Sequence, residues 1–177
     1  MAVAKNIVVE KTKKKIFIVD DHPIIRDGLR QLISKQDDMA VCGEAEDAYQ
    51  ALNHIGKIRP HLVIVDISLS GGNGLELIKS IKSQYPDVAI LVVSMHDESL
   101  YAERSIHAGA RGYIMKSEAS EKVLTAMRSA LAGKIYLSEG IRNSILEKVF
   151  YNKRSARMPL QSLSDRELQV FQYRRGI

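Results

Sequence analysis

A single cysteine, Cys42, in 177 residues leaves no intrachain disulfide and no multi-cysteine metal site. It sits in Met39-Ala40-Val41-Cys42, the setting of a buried structural thiol rather than a reactive one. No apolar stretch approaches the ~18 residues of a membrane span. Lys5, Lys11, Lys13, Lys14 and Lys15 open the chain without an apolar segment behind them, so no secretory signal is present. No internal period of solenoid type recurs. These absences predict a soluble, reduced, cytoplasmic protein with no membrane partner.

The length suits one domain of ordinary size with an appendage, able to bury about 70% of its unfolded surface. Charge is spread unevenly. Met1 to Lys15 carries +4, Gly133 to Ile177 carries +5, and the stretch between carries −4, within a total of +5. The basic balance therefore describes two tails around an acidic domain. The lysine-rich start, residues 1–14, reads as a solvated basic arm.

From Lys15 onward, strand and helix patterns alternate. The expected strands are Ile16 to Val19, Met39 to Glu44, Leu62 to Val65, Val88 to Val93 and Arg111 to Met115. Their apolar residues are successive, as in strands covered on both faces. A helix follows Pro23 with Ile24, Ile25, Leu29, Leu32 and Ile33 on one face. A second carries Ala48, Ala51, Leu52 and Ile55, with Gly56 suited to its C-terminal cap. A third follows Gly74, a fourth runs toward Gly109 as cap, and a fifth presents Val123, Leu124, Met127, Ala130 and Leu131. Five such pairs with short connections predict an α/β fold, a doubly wound five-stranded parallel sheet over residues 15–133. Right-handed crossovers then bring every strand's C-terminal end to one edge, where such folds bind ligands.

That edge collects chemistry. Asp20-Asp21 end the first strand, Asp66 the third, Ser94 the fourth and Lys116 the fifth. Taken singly, each residue is an ordinary turn acid, exposed amine or strand-end serine. Four equivalent strand ends carrying them together are not ordinary. Clustered carboxylates repel, which raises pKa values or recruits a cation. Three carboxylates with loop carbonyls suit a hard, oxygen-preferring ion such as Mg²⁺. A carboxylate can also act as a nucleophile toward phosphorus, and an ammonium with a metal can neutralise the transferred group's oxygens.

This constellation resembles the phosphoacceptor site of the response-regulator receiver domain of two-component signalling, over about Lys15 to Gly133. The resemblance implies that Asp66 accepts phosphate from a sensor histidine kinase. It implies that Asp21 ligates Mg²⁺ directly and Asp20 through water, with the Ser68 backbone carbonyl and Asp66 completing the site. Ser94 and Lys116 would hold phosphoryl oxygens. Ser94 and Tyr113 would form the switch, the tyrosine turning inward as the serine moves toward the phosphoryl group. His22, beside the acid pair, reads as a bystander. Two positions depart from the pattern. Ser70 and Gly71 stand where many members have proline, which predicts a looser loop. Ser117 follows Lys116 where many have a cis proline, which leaves that peptide's geometry open and offers a cap for the last helix.

Beyond Gly133, Ile135-Tyr136-Leu137 is a short apolar segment, and Ser138 is placed to cap a helix bearing Ile141, Ile145, Leu146, Val149 and Phe150. Residues 134–161 read as a linker containing that helix. Ser164-Asp165-Arg166-Glu167 is a capping box. These segments resemble the NarL/FixJ subfamily, in which the receiver precedes a LuxR-type helix-turn-helix domain. Residues 162–177 would be its incomplete start, because the groove-reading second helix is missing from the sequence. DNA is then a partner of the full-length regulator and not of this chain, and phosphorylation-dependent homodimers are a family expectation. An output-less receiver acting as phosphate sink or protein-binding module is the alternative. An aspartate-nucleophile phosphohydrolase would want an acid at Ser68, which argues against an enzyme.

Overall fold

The computed structural model describes residues 12–70, 72–150, 164 and 167. Its elements, in chain order, are β1 (Lys14–Val19), α1 (Pro23–Ser34), β2 (Met39–Ala45), α2 (Ala48–Ile58), β3 (Leu62–Val65), β4 (Ser68–Leu69), β5 (Gly72–Asn73), α3 (Gly74–Gln84), β6 (Ala89–Ser94), α4 (Glu98–Ala108), β7 (Gly112–Met115), α5 (Ser120–Leu131) and α6 (Glu139–Phe150). The main sheet is parallel throughout, in the order β2-β1-β3-β6-β7. This is the expected doubly wound sheet, and the remaining two strands form a separate hairpin, β4-β5.

Strand alternation builds two cores from one sheet. Phe17, Val19, Val63, Val65, Ile90, Val92 and Tyr113 face α2, α3 and α4, meeting Ala51, Ile55, Ile78, Ile81 and Tyr101. Ile16, Ile18, Leu62, Ile64, Leu91, Val93 and Ile114 face α1 and α5, meeting Leu29, Ile33, Val123, Ala126 and Met127. The central strands β1, β3 and β6 are therefore apolar on successive residues because each face has its own helical layer. Backbone bonds carry the ladder past the strand ends: Asp20 N–H to Ala45 C=O (3.2 Å), Asp66 N–H to Val19 C=O (2.9 Å) and Lys116 N–H to Ser94 C=O (2.8 Å). Register alone thus sets Asp20, Asp66 and Lys116 side by side.

Three local expectations need correction, and one open question closes. Ile24 is 84% exposed, because it falls in the first turn of α1, ahead of the stripe that reaches the sheet. Gly56 does not end α2, which runs on to Ile58 and closes at Arg59 in the left-handed region (φ 51°). Instead, a Cβ at Gly56 would lie 2.6 Å from the Tyr85 hydroxyl, so the small residue admits that ring. Ser117 does not cap α5, whose cap position is Ala119 with no side-chain bond. The Lys116–Ser117 peptide is trans, with no cis bond among the described residues. Gly109 does close α4, at φ 114°.

The looser loop expected at Ser70 and Gly71 falls partly outside the described residues, at Gly71, and the residues on either side of it pair as a hairpin. Ser68 pairs with Asn73 and Leu69 with Gly72, Leu69 is buried, and the Asn73 side chain caps α3 by accepting from Leu75 N–H. Gly74 opens α3 against the backbone of the site itself. A Cβ there would land on the Asp66 carbonyl oxygen and 2.7 Å from Ile67 Cα. Neither atom can step aside without moving the Asp66 loop. Gly74→Ala should therefore destabilise the fold by about 3 kcal/mol, as overpacking against fixed atoms does. Urea denaturation measures it, and a variant as stable as wild type would refute the close approach.

The segment after α5 joins the sheet's free edge. Tyr136 bridges to Gly112 in parallel sense, with Tyr136 N–H donating to Arg111 C=O at 2.9 Å and Tyr113 N–H to Tyr136 C=O at 3.0 Å. Leu137 is buried beside α4 residues. The Ser138 hydroxyl accepts from Ile141 N–H (3.3 Å) at the start of α6 and donates to Glu98 Oε1 (2.7 Å). Ile141 and Ile145 pack on the α4 side of the core, while Leu146 is half-exposed. The Val149 and Phe150 side chains, the basic arm up to residue 11, and residues 151–163 lie outside the description. Ser164 and Glu167 form the expected capping box: Glu167 N–H donates to Ser164 Oγ at 3.3 Å and Ser164 N–H to Glu167 Oε2 at 2.8 Å.

Candidate phosphoacceptor and metal site

At the sheet's C-terminal edge Lys116 Nζ lies 2.7 Å from Asp20 Oδ2 and 2.7 Å from Asp66 Oδ2, and all three side chains are 3% exposed. One ammonium is shared by two buried carboxylates. The second oxygen of Asp66 is an orphan: Oδ1 is buried without a hydrogen-bond partner. A buried acceptor left unpaired is expensive, so the site is built for something more. Ligand atoms of Asp20, Asp21, His22 and Asp66 all lie within 4.8 Å of one another. Three carboxylates against one ammonium leave two formal negative charges, which a divalent cation would neutralise.

The protonation energetics agree. Burial pushes the Asp66 carboxyl above its ordinary range and proximity to Asp20 adds to that, while Lys116 and the Ser94 hydroxyl hydrogen bond oppose it. Burial alone would depress Lys116, but attraction to Asp66 and bonds to Asp20 and Asp66 hold its ammonium above the usual lysine range. Asp21 differs. Its slight burial is outweighed by the Ser70 hydroxyl and by His22, so it is held below the usual carboxylate range. Ser70 donates to Asp21 Oδ2 twice, from Oγ at 2.6 Å and from N–H at 3.1 Å. Asp21 is thus aimed by the very loop that follows Asp66.

Residues 16–128 match the family model described as the response regulator receiver domain, well over half of the chain. The chain belongs to that family. It is 40% identical over 159 residues to a Pseudomonas aeruginosa protein named provisionally as a transcriptional regulator, covering 90% of this chain and 75% of that one. A two-component response regulator of the LuxR family from Aurantimonas sp. SI85-9A1 superposes with a TM-score of 0.72 at 35% identity, covering 78% of this chain and 99% of that one. RcsB, solved as two dimers bound to two parallel DNAs, gives a TM-score of 0.68 at 27% identity over 76% of this chain and 69% of that one. The protein is a response-regulator receiver of a two-component system that controls transcription.

Within this receiver the expected site residues are together. Asp20, Asp66 and Ser94 are buried polar residues on one edge, and the Ser94 hydroxyl is among the groups that lower the Asp66 pKa. Tyr113 is 1% exposed, already turned inward, with its hydroxyl within reach of Ser94 and donating to the His96 carbonyl at 2.8 Å. Burial raises that phenol's pKa. Ser68 sits in β4, where its hydroxyl meets His96 Nε2 at 2.5 Å, and the His96 ring stacks on Tyr101 at 4.8 Å between centroids. Burial lowers the His96 pKa, favouring the neutral ring in that contact. The sequence carries no spacing signal for the Ser68–His96 link or for Ser70 on Asp21, since both span loops. His22, read as a bystander, lies 2.7 Å from Asp21 Oδ1.

Proposed function

We propose that Asp66 is the phosphoacceptor and takes its phosphoryl group from a phosphohistidine of a sensor histidine kinase. The observation that carries this reading is the shared Lys116 ammonium beside an unpartnered, buried Asp66 oxygen. The Asp66 carboxylate attacks phosphorus in line. A P–O bond forms, the P–N bond to the kinase imidazole breaks, and the leaving nitrogen keeps the electron pair. Transfer of this kind needs position and charge neutralisation rather than covalent chemistry from the protein. Lys116 supplies an ammonium to one phosphoryl oxygen, and the Ser94 hydroxyl supplies a hydrogen bond to another.

Asp20, Asp21 and Asp66, with the Ser68 backbone carbonyl, would hold Mg²⁺, whose charge offsets that of the phosphoryl oxygens. The all-oxygen donor set and the two spare negative charges fit such a hard ion. Ser94 and Tyr113 form the switch. A serine drawn toward the phosphoryl group rests against a tyrosine whose phenol already grips the loop at His96. This links a local charge event to the surface of α4.

The protein is a phosphoacceptor and not a classical enzyme, acting in the cytoplasm; no helix among the described residues is long and apolar enough to cross a membrane. The receiver occupies residues 15–133, residues 134–161 form the linker with its helix, and a LuxR-type DNA-binding domain begins at 162. Its output is DNA binding, with phosphorylation favouring a homodimer; RcsB, whose structure holds two dimers bound to two parallel DNAs, supports that pairing. Incubation with a small phosphodonor and Mg²⁺ tests the reading. Intact mass should show one phosphoryl group per chain, lost on hydroxylamine treatment and prevented by EDTA. No adduct, or one indifferent to EDTA, would remove the assignment.

A further inference from the structure

The side chain of His22 occupies the N-cap position of α1 (φ −89°, ψ 111°) yet makes no capping bond. Its backbone is firmly placed. Pro23 follows as the first helical residue, the His22 carbonyl accepts from Ile25 and Arg26 N–H at 3.1 and 3.2 Å, and His22 N–H donates to Asp20 Oδ1 at 2.9 Å. The ring is turned to the acids instead: Nδ1 lies 2.7 Å from Asp21 Oδ1 and 3.3 Å from Asp20 Oδ1. Donor atoms around an ion at about 2.1 Å stand roughly 3.0 Å apart when adjacent and 4.2 Å apart when opposite. A cluster whose four donors, the imidazole included, lie within 4.8 Å of one another is already near that size. The orphaned Oδ1 of Asp66, on a residue only 2% exposed, points independently to a cation ligand.

We propose that His22 is a further, direct ligand of the ion held by these carboxylates, so that the site binds a borderline first-row dication such as Mn²⁺ or Co²⁺ more tightly than its oxygen donors alone would, while those oxygens still take Mg²⁺. This rests on the carboxylate site proposed above. Mg²⁺ takes oxygen donors and gains little from an imidazole, whereas first-row transition ions accept imidazole nitrogen readily. One nitrogen among three carboxylates therefore changes selectivity without altering the charge count. The 62% exposed ring stands at the outer side of the buried Asp20, so it can close on an ion after the carboxylates have engaged it.

The test uses Mn²⁺ as the probe on the whole chain stripped of metal. Pulsed EPR of the bound Mn²⁺ should show an imidazole ¹⁴N coupling in wild type and none in His22→Ala or in His22→Asn, the latter retaining a good helix-start residue. Mn²⁺ affinity should fall by at least about tenfold in His22→Ala, the low end of what loss of a supporting group costs a metal site. Mg²⁺ affinity, read by competition, should change by less than about twofold, since the oxygen donors are untouched. Mn²⁺ bound without that coupling, or a coupling that survives both substitutions, overturns the role of His22 and leaves the carboxylate site standing. Mn²⁺ binding that is absent in wild type, or unweakened in Asp66→Ala, overturns both.

Discussion

Asp66→Ala and Asp66→Asn should each abolish phosphoryl uptake from a small phosphodonor, while Asp66→Asn makes the metal-free fold more stable. The loss is complete because no other carboxylate is placed to substitute. Asp20 is held by Lys116 and by His22 N–H, and Asp21 by Ser70. The stability gain follows from what Asp66 endures: one oxygen shares an ammonium with Asp20, the other is buried with no partner. Asparagine keeps a polar atom in that unpaired position but removes the charge, leaving Lys116 paired with Asp20 alone, and relief of an ionised, half-unpaired buried group amounts to about 1–3 kcal/mol. Burial raises the Asp66 pKa in the folded state, so its ionisation opposes folding. The advantage of the variant should therefore be full at pH 8 and vanish as pH falls below the unfolded carboxyl value. Mg²⁺ should reverse the order by stabilising wild type selectively. Denaturation curves at two pH values with and without Mg²⁺, beside intact-mass phosphorylation assays, check both halves. A phosphorylated Asp66→Ala chain would end the assignment. A less stable Asp66→Asn at pH 8 without metal would refute the electrostatic account.

The site is legible in the sequence because of the buried parallel strand. Leu62-Val63-Ile64-Val65 is apolar without interruption because helices cover both faces, so the first carboxylate after it marks the strand's end unmistakably. The same holds for Ile16 to Val19 before Asp20, and right-handed crossovers then bring those ends together. Positions set by the three-dimensional course of loops were not legible. His96 reaches Ser68 across 28 residues, and Ser70 reaches Asp21 across 49, with no periodicity to announce either. Gly56 has the residue type of a helix terminus but sits inside α2, since the reason for a glycine there is Tyr85, far away in sequence. Ile24 matches the apolar spacing of α1, yet the helix begins one residue earlier and its first turn overhangs the sheet. Tyr136 belongs to a segment too short to show a strand pattern; only the unpaired edge of β7 recruits it.

Lys116→Met should do the opposite of the Asp66 substitutions and unfold the metal-free protein by about 3–5 kcal/mol more easily, the penalty for stranding buried charge by removing its partner. Methionine fills the volume of the lysine stem, so packing contributes little of the loss. What disappears is the ammonium 2.7 Å from both Asp20 and Asp66, the group that opposes burial in setting the Asp66 pKa. With it gone, the folded-state pKa of Asp66 rises further above its unfolded value. Stability from that protonated form is present at low pH and is lost as pH rises through the folded value. The defect should thus be small near pH 4 and large at pH 8. Mg²⁺ should restore part of it, because a divalent ion answers the same carboxylates from another side. Phosphoryl uptake, however, should stay depressed by roughly 10²–10³-fold even with Mg²⁺, the usual effect of deleting one preorganised donor to a developing charge. Denaturation across that pH range and the rate of uptake from a small phosphodonor separate the two roles. A Lys116→Met protein as stable as wild type at pH 8 without metal would mean that the buried carboxylates are not ionised together. Full-rate phosphorylation by that variant would mean that the ammonium serves the fold alone.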